Sequence, residues 1–310
     1  MSPRTQGILP AVLLTVGCSS ESAPPAPSAT TATSVSAAAA APSATATTPV
    51  ACSPECAPVE HCEAGSCKPA CPEGEVYVPT TGEKGFAMPH SDTAKAASHR
   101  VVLTQPYCID ATEVTVEAYA GCVKAKACEE PRTWGLFINY PKQPRHPVNK
   151  VHWEHAKAYC AWREQSLPTE AEWYWAATGG DGRAYAWGDD APTCKRADFA
   201  PGEITSPSGN DGCHGGGTSE VGAHPDGDRV TPYGRIHDLS GNVWEWCLDN
   251  FTKLDGQPAT DPHVVTADNG AHVVRGGGWN RSGRGIRVDF RGGAAVDYQV
   301  PGLGFRCVRH

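Results

Sequence analysis

LPTEAEW at residues 167–173, SGNVWEW at 240–246, RGGGWN at 275–280 and GFRC at 304–307 are the stretches on which the reading of the fold turns. In the first, Pro168 ends an extended Leu167 and Thr169 can cap a helix. Glu172, three residues on, completes a capping box ahead of an apolar stripe of Trp173, Ala176 and Ala177. Two more helices can be placed upstream. One follows Thr115 as N-cap and spaces Val114, Ala118, Tyr119, Cys122 and Val123 for one buried face; the other spans about Trp153 to Arg163 and buries Ala156, Tyr159 and Cys160. After Gly179 the periodicity fades into loops and short strands punctuated by Gly, Pro, Asp and Asn. Loops of that length inside a domain call for disulfides or metal ions to hold them.

Outward from this core the chain changes character. Of its 310 residues, the first 18 (MSPRTQGILPAVLLTVGC) have a brief basic start, an apolar run from Ile8 to Val16, small Gly17 and then Cys18. The run is too short to span a bilayer and reads as an export signal ending in a lipobox, with Cys18 as the acylated residue, although Thr15 sits where such motifs usually carry Leu. Ordinary cleavage and release is the alternative. Residues 19–50 are almost entirely Ala, Ser, Thr and Pro, a linker with too little apolar surface to fold. Fourteen cysteines agree with an exported location. Setting Cys18 aside leaves thirteen, five of which (Cys52, Cys56, Cys62, Cys67, Cys71) crowd into segment 51–72; the odd thiol is expected among these five. That segment reads as a disulfide-stapled loop, with a zinc site on Cys52, Cys56, Cys62 and Cys67 as the minority reading. The globular domain is assigned to residues 73–310.

In the remainder, Cys122 and Cys128 are close enough to staple the exit of the first helix. Cys194 and Cys213 bracket a loop whose closure is worth roughly 3 kcal/mol. Cys108, Cys160, Cys247 and Cys307 can pair in three ways. A net charge of −8 without a basic run gives no support for nucleic-acid binding. Twelve histidines occur without an HExxH motif, and the pair His152 and His155 is read as a polar helix start. Trp173, Trp244, Trp246 and Trp279 read as core rings, with a carbohydrate platform possible for any left exposed.

In order and spacing, the four motifs resemble the formylglycine-generating enzyme family, also called sulfatase-modifying factors. The resemblance implies an α+β fold, the sulfatase-modifying-factor variant of the C-type lectin-like fold, with little regular secondary structure and loops stabilised by disulfides and calcium. It also favours pairing Cys160 with Cys307, which would leave Cys108 with Cys247. Hard cations suit acidic, irregular loops. The resemblance implies calcium ligation by the Asp238 and Glu245 side chains with the Gly241 and Val243 carbonyls, and a second site from Asp198, the Phe199 carbonyl, Asp211 and the Cys213 carbonyl.

Family members that oxidise a sulfatase cysteine hold copper with two cysteines shortly after RGG(S)W. Laid on that motif without a gap, RGGGWN puts Arg281 and Ile286 at those positions and Gly278 at the serine. Neither side chain can replace a thiolate, the soft ligand that Cu(I) selects, so copper is not expected here. Arg275, Arg281, Arg284, Arg287 and Arg291 make the same segment basic. They either pair with carboxylates or line an anion groove, and Trp279, Asn280, Arg281 and Arg284 mark the candidate cleft. The iron-dependent sulfoxide synthases of the same superfamily need a histidine-rich motif from a further helical domain, and no facial triad with convincing spacing is visible. The expectation is a lipid-anchored envelope protein that binds a peptide, a glycan or a protein partner without copper-dependent chemistry. A divergent metal-dependent oxidoreductase acting on a protein side chain is the alternative.

Overall fold

Each helix begins where the sequence supplies an acceptor for its first free N–H groups. In a computed structural model describing residues 60–63, 66–89, 98–202, 212–266 and 270–310, α1 (Val116–Lys124) starts at Thr115, whose hydroxyl accepts from the Ala118 N–H at 3.1 Å. At the start of α2 (Trp153–Trp162), His152 Nδ1 accepts from the His155 N–H at 3.4 Å, and the two imidazoles, tilted by 31° with centroids 3.5 Å apart, make a polar helix start. α3 (Glu170–Thr178) has the full capping box: Thr169 Oγ1 accepts from the Glu172 N–H at 3.2 Å, and the Glu172 carboxylate accepts from the Thr169 N–H at 2.7 Å. It stops at Gly179, whose φ of 62° is the left-handed turn a glycine makes at least cost.

The strands are short. A hairpin of β1 (Glu60–Glu63) and β2 (Ser66–Pro69) leads to β3 (Glu75–Val78), β4 (Phe86–Pro89), β5 (Ser98–Val102) and β6 (Tyr107–Asp110). After the helices come β7 (Arg229–Thr231), β8 (Gly234–Ile236), β9 (Trp244–Asn250), β10 (Ala259–Thr260), β11 (Ala271–Arg275), β12 (Gly292–Ala295), β13 (Leu303–Gly304) and β14 (Val308–Arg309). The main sheet has the order β12-β11-β9-β13, and a second sheet, β14-β6-β3, brings the last strand beside the first strands of the domain. This is an α+β fold poor in helix, as the motifs imply.

β9 holds the core together because it is buried on both faces, a pattern expected of a covered central strand. Its tryptophans are interior rings with satisfied or apolar surroundings. Trp246 Nε1 donates to the Val151 carbonyl at 3.1 Å, and the neighbouring Trp153 Nε1 donates to the Cys247 carbonyl at 2.9 Å. One apolar cluster gathers Trp173, Tyr174 and Ala177 of α3 with Val76, Val101, Ile109 and Val273; another gathers α1 and α2 with Trp244, Trp246, Leu303 and Phe305.

Three disulfides form as anticipated, Cys122–Cys128, Cys194–Cys213 and Cys160–Cys307. Pairing of Cys108 with Cys247 does not occur. Cys108 lies on β6 opposite Tyr77 of β3, and the chain entering β3 carries Cys71, which takes Cys108 instead with 5.7 Å between the Cα atoms. Cys247 belongs to a different sheet and is the free thiol among the described residues, buried in the core with its pKa pushed well up by burial. A free thiol thus lies outside the five-cysteine segment in which the odd one was expected. Cys18, the 19–50 linker, Cys52, Cys56 and Asp211 lie outside the described residues.

Candidate functional site

RGGGWN is a tight turn leaving β11. Gly276 and Gly277 take φ of 86° and 73°, and a Cβ on Gly277 would fall on the Gly285 carbonyl, so the turn is pressed against the 3-10 segment Gly283–Ile286. The Trp279 N–H donates to the Asn242 carbonyl at 2.8 Å, joining this turn to SGNVWEW, and its ring packs 4.9 Å from Phe137. Trp279 is thereby buried rather than presented to a cleft. Ile286 is fully buried among Ala184, Tyr185, Ala197 and Phe199. Arg281 is exposed, with its guanidinium 5.7 Å from the Trp244 ring centroid. An alkyl group in an apolar cluster and a cation over an indole leave nothing at these two positions to hold copper.

Of the candidate cleft residues, the structure brings Arg281 to the rim of a cavity of about 320 Å³. Its walls are Trp244, Phe290, Tyr298, Val300 and Leu303, and its floor is the Gly292–Gly293 backbone of β12. A Cβ on Gly292 would press on Val274 and Trp244, so the glycines both create the space and allow the strand to lie flat there. These lining residues escaped the sequence reading; two glycines inside a strand were the available signal. The other arginines are largely paired. Arg275 and Arg291 reach the buried Glu170 at 2.5 and 2.6 Å, and Arg287 takes Asp289 at 2.7 Å. Burial alone would raise Glu170, but Arg275 and Arg291 hold its carboxyl below the usual range.

Beneath β9 lies an acidic interior. Arg306 is fully buried and donates to both Glu245 oxygens at 2.7 Å, while Trp173 Nε1 donates to Glu245 Oε2 at 2.8 Å. Asp238 Oδ2 accepts from the Gly222 N–H at 2.6 Å. Glu113, which sequence reasoning missed, is 1 % exposed with Oε2 unpartnered; burial first, then the Asp238 charge, pushes its carboxyl well up. Three buried carboxylates, Glu113, Asp238 and Glu245, thus share one arginine, but they do not gather into a metal-ligand cluster; among the described residues that convergence occurs at Asp198, His214 and His224. The unpartnered oxygen is on Glu113, whereas Glu245 is engaged with Arg306.

The two implied calcium segments prove to be adjacent. The Asn242 N–H donates to the Asp198 carbonyl at 2.9 Å, and a Cβ on Gly241 would collide with that same carbonyl. Asp198 is 1 % exposed and its Oδ1 has no partner. Burial raises the Asp198 carboxyl, opposed by the Ser219 hydroxyl and by His214 and His224. Those two histidines, with no regular spacing in sequence, converge on it.

A family model described as the sulfatase-modifying factor enzyme 1-like domain matches residues 67–310. The chain belongs to the sulfatase-modifying factor family. It is 37 % identical over 196 residues to a formylglycine-generating enzyme of Streptomyces coelicolor, covering 57 % of this chain and 56 % of that one. It is 38 % identical over 170 residues to the inactive Cα-formylglycine-generating enzyme 2 of Bos taurus, covering 52 % and 49 %. The chain thus spans about half the length of these curated relatives. In fold it is similar to PvdO of Pseudomonas aeruginosa, with a TM-score of 0.58 at 21 % identity over 76 % of this chain and 94 % of that one. The sulfatase-modifying factor domain accounts for the four motifs and for the C-type lectin-like architecture.

Proposed function

We propose that this sulfatase-modifying factor domain binds a peptide segment and does not oxidise cysteine with copper. The observation that carries this reading is Ile286, fully buried in an apolar cluster where a copper thiolate would be needed, with Arg281 as the other replacement. The cavity beside Arg281 supports the choice of ligand. Its walls are rings and aliphatic side chains with a single cation at the rim, which suits an apolar side chain followed by a carboxylate better than a hydroxyl-rich sugar. A relative bearing the word inactive in its name is consistent with such a role.

Purified protein loaded with Cu(I) and offered a cysteine-bearing peptide is expected to consume no oxygen and to leave the cysteine unconverted. Tight copper uptake with conversion of the cysteine would sink the reading. Peptides pairing Leu or Phe with Asp or Glu should bind by calorimetry, and Arg281→Glu should weaken them about fivefold or more.

Calcium held by the Asp238 and Glu245 side chains with the Gly241 and Val243 carbonyls, as the family resemblance implies, is part of the proposal; added calcium should then raise the melting temperature. Cys18 is proposed as a lipid anchor to an envelope membrane, with the partner an envelope protein, and mass spectrometry of the mature N-terminus tests for the acyl chains. The alternative of a divergent metal-dependent oxidoreductase draws on the convergence of Asp198, His214 and His224. Oxygen uptake that depends on iron or manganese and on a protein substrate would favour it.

A further inference from the structure

We infer that Asp198, His214 and His224 form a binding site for a divalent transition-metal ion of the zinc class. Their ligand atoms lie within 4.8 Å of one another. Donors held about 2.0–2.2 Å from one ion can be no more than about 4.4 Å apart, so rotation of a side chain closes the remaining gap. Asp198 is 1 % exposed and its Oδ1 is without a partner, a buried carboxylate oxygen that is costly to leave open. Oδ2 accepts from the Ser219 hydroxyl at 2.9 Å, and the same hydroxyl lies 3.2 Å from His224 Nε2. Ser219 thereby orients both ligands, the outer-shell arrangement typical of metal-bound carboxylate and imidazole.

The site is built before any ion arrives. Cys213, the neighbour of His214, is tied by disulfide to Cys194, and Asp198 lies inside the loop so closed. His224 is buried and leads into the 3-10 turn Pro225–Gly227, where Gly227 sits so close to Arg196 that an added Cβ would meet the Arg196 carbonyl. The His214 and His224 rings are nearly parallel, at 15°, with centroids 6.0 Å apart. His214 is exposed, which gives the ion a route in and leaves a coordination position for water or a ligand.

The donor set decides the metal class. Calcium takes six to eight oxygens and gains nothing from imidazole, whereas two histidines and one carboxylate select zinc, iron, nickel or copper(II) over hard cations. This site therefore departs from the calcium ligation expected around Asp198, and none of its three ligands lines the cavity at Arg281.

The test uses the full chain, stripped with a chelator and titrated with Zn²⁺ and with Ca²⁺ by calorimetry, and with Co²⁺ by visible absorption. A single equivalent of Zn²⁺ should bind with calcium failing to compete, and Co²⁺ should show ligand-field bands. His214→Ala, at an exposed position that should not disturb folding, should lower zinc affinity at least about 100-fold, since loss of an outer-shell partner alone costs on the order of 10–100-fold. Asp198→Asn should abolish the cobalt bands with circular dichroism unchanged, and His152→Ala, in the other close histidine pair, should leave binding intact. Zinc affinity unchanged in His214→Ala, equal competition by calcium, or no stoichiometric zinc would each overturn the site.

Discussion

Arg306 faces more negative charge than one guanidinium can neutralise. Burial alone would lower its pKa, but Glu245 first, then Glu113 and Asp238, hold it raised, and it also donates to the Asp110 and His237 carbonyls at 3.1 and 2.8 Å. It thus ties the GFRC motif to β9, to β6 and to the Asp238 loop in one step. Arg306→Met keeps most of the volume but leaves Glu245 as a buried charge with no cation beside it and only the Trp173 indole N–H to donate to it. The expected loss is about 3–5 kcal/mol in urea unfolding, the usual cost of breaking one side of a buried pair. Loss below 1 kcal/mol would mean that Glu245 finds a proton or a cation without Arg306. The charge balance of this interior was not legible from SGNVWEW alone, because it depends on Glu113 and Arg306, which are far from Glu245 in the chain.

Among the elements, the helices were legible because their signals are local. Thr169 and Glu172 name the start of α3 within four residues, and the structure forms both halves of the capping box. Thr169→Ala should cost about 1 kcal/mol by thermal or chemical melts, the ordinary value for a lost N-cap, and Thr169→Ser should restore most of it. The Cys160–Cys307 bond closes a separation of 147 residues between α2 and the residue just before β14. The loop-closure model assigns such a bond about 5 kcal/mol, so reduction or Cys160→Ala should shift the denaturant midpoint far more than Cys122→Ala, whose loop spans 6 residues. Equal effects would show that the stabilisation is not set by chain entropy. Non-local pairing was not legible. That β3 lies beside β6, which delivers Cys71 to Cys108, follows from a strand register that no short motif encodes. The groove was half legible: Arg281 was marked by its motif, but Phe290, Tyr298 and Leu303 reach it only through the folding of β12 and β13. Of the Asp198, His214 and His224 cluster only Asp198 was legible, because the histidines sit on irregular loops with no common spacing.

Across the whole molecule, burial of carboxylates sets the response to pH. Burial pushes Asp249 up to about 7, against hydrogen bonds from the Val264 and Glu170 N–H groups, each at 2.7 Å. The folded chain therefore keeps a proton that the unfolded chain has released above the ordinary carboxylate range. Stability from this group is fully present below that range and is lost as pH rises to about 7, with a slope of up to roughly 1.4 kcal/mol per pH unit. Asp110, Asp198 and Asp228, raised by burial, act in the same direction. Glu170 acts in the opposite sense: its lowered pKa supplies stability above the carboxylate range that is lost as pH falls. His146, His152 and His272, lowered by burial, also oppose the trend, but only between their folded values and about 6.5. These opposing groups are common to wild type and variant, so the contribution of Asp249 is isolated by comparing wild type with Asp249→Asn across pH. With a chelator present to remove ion linkage, the melting-temperature advantage of wild type should be largest near pH 4 and shrink steadily toward pH 8. An advantage that stays constant or grows with pH would show that the backbone N–H pair keeps Asp249 ionised despite its burial, beside the Glu170 carboxylate that Arg275 and Arg291 hold.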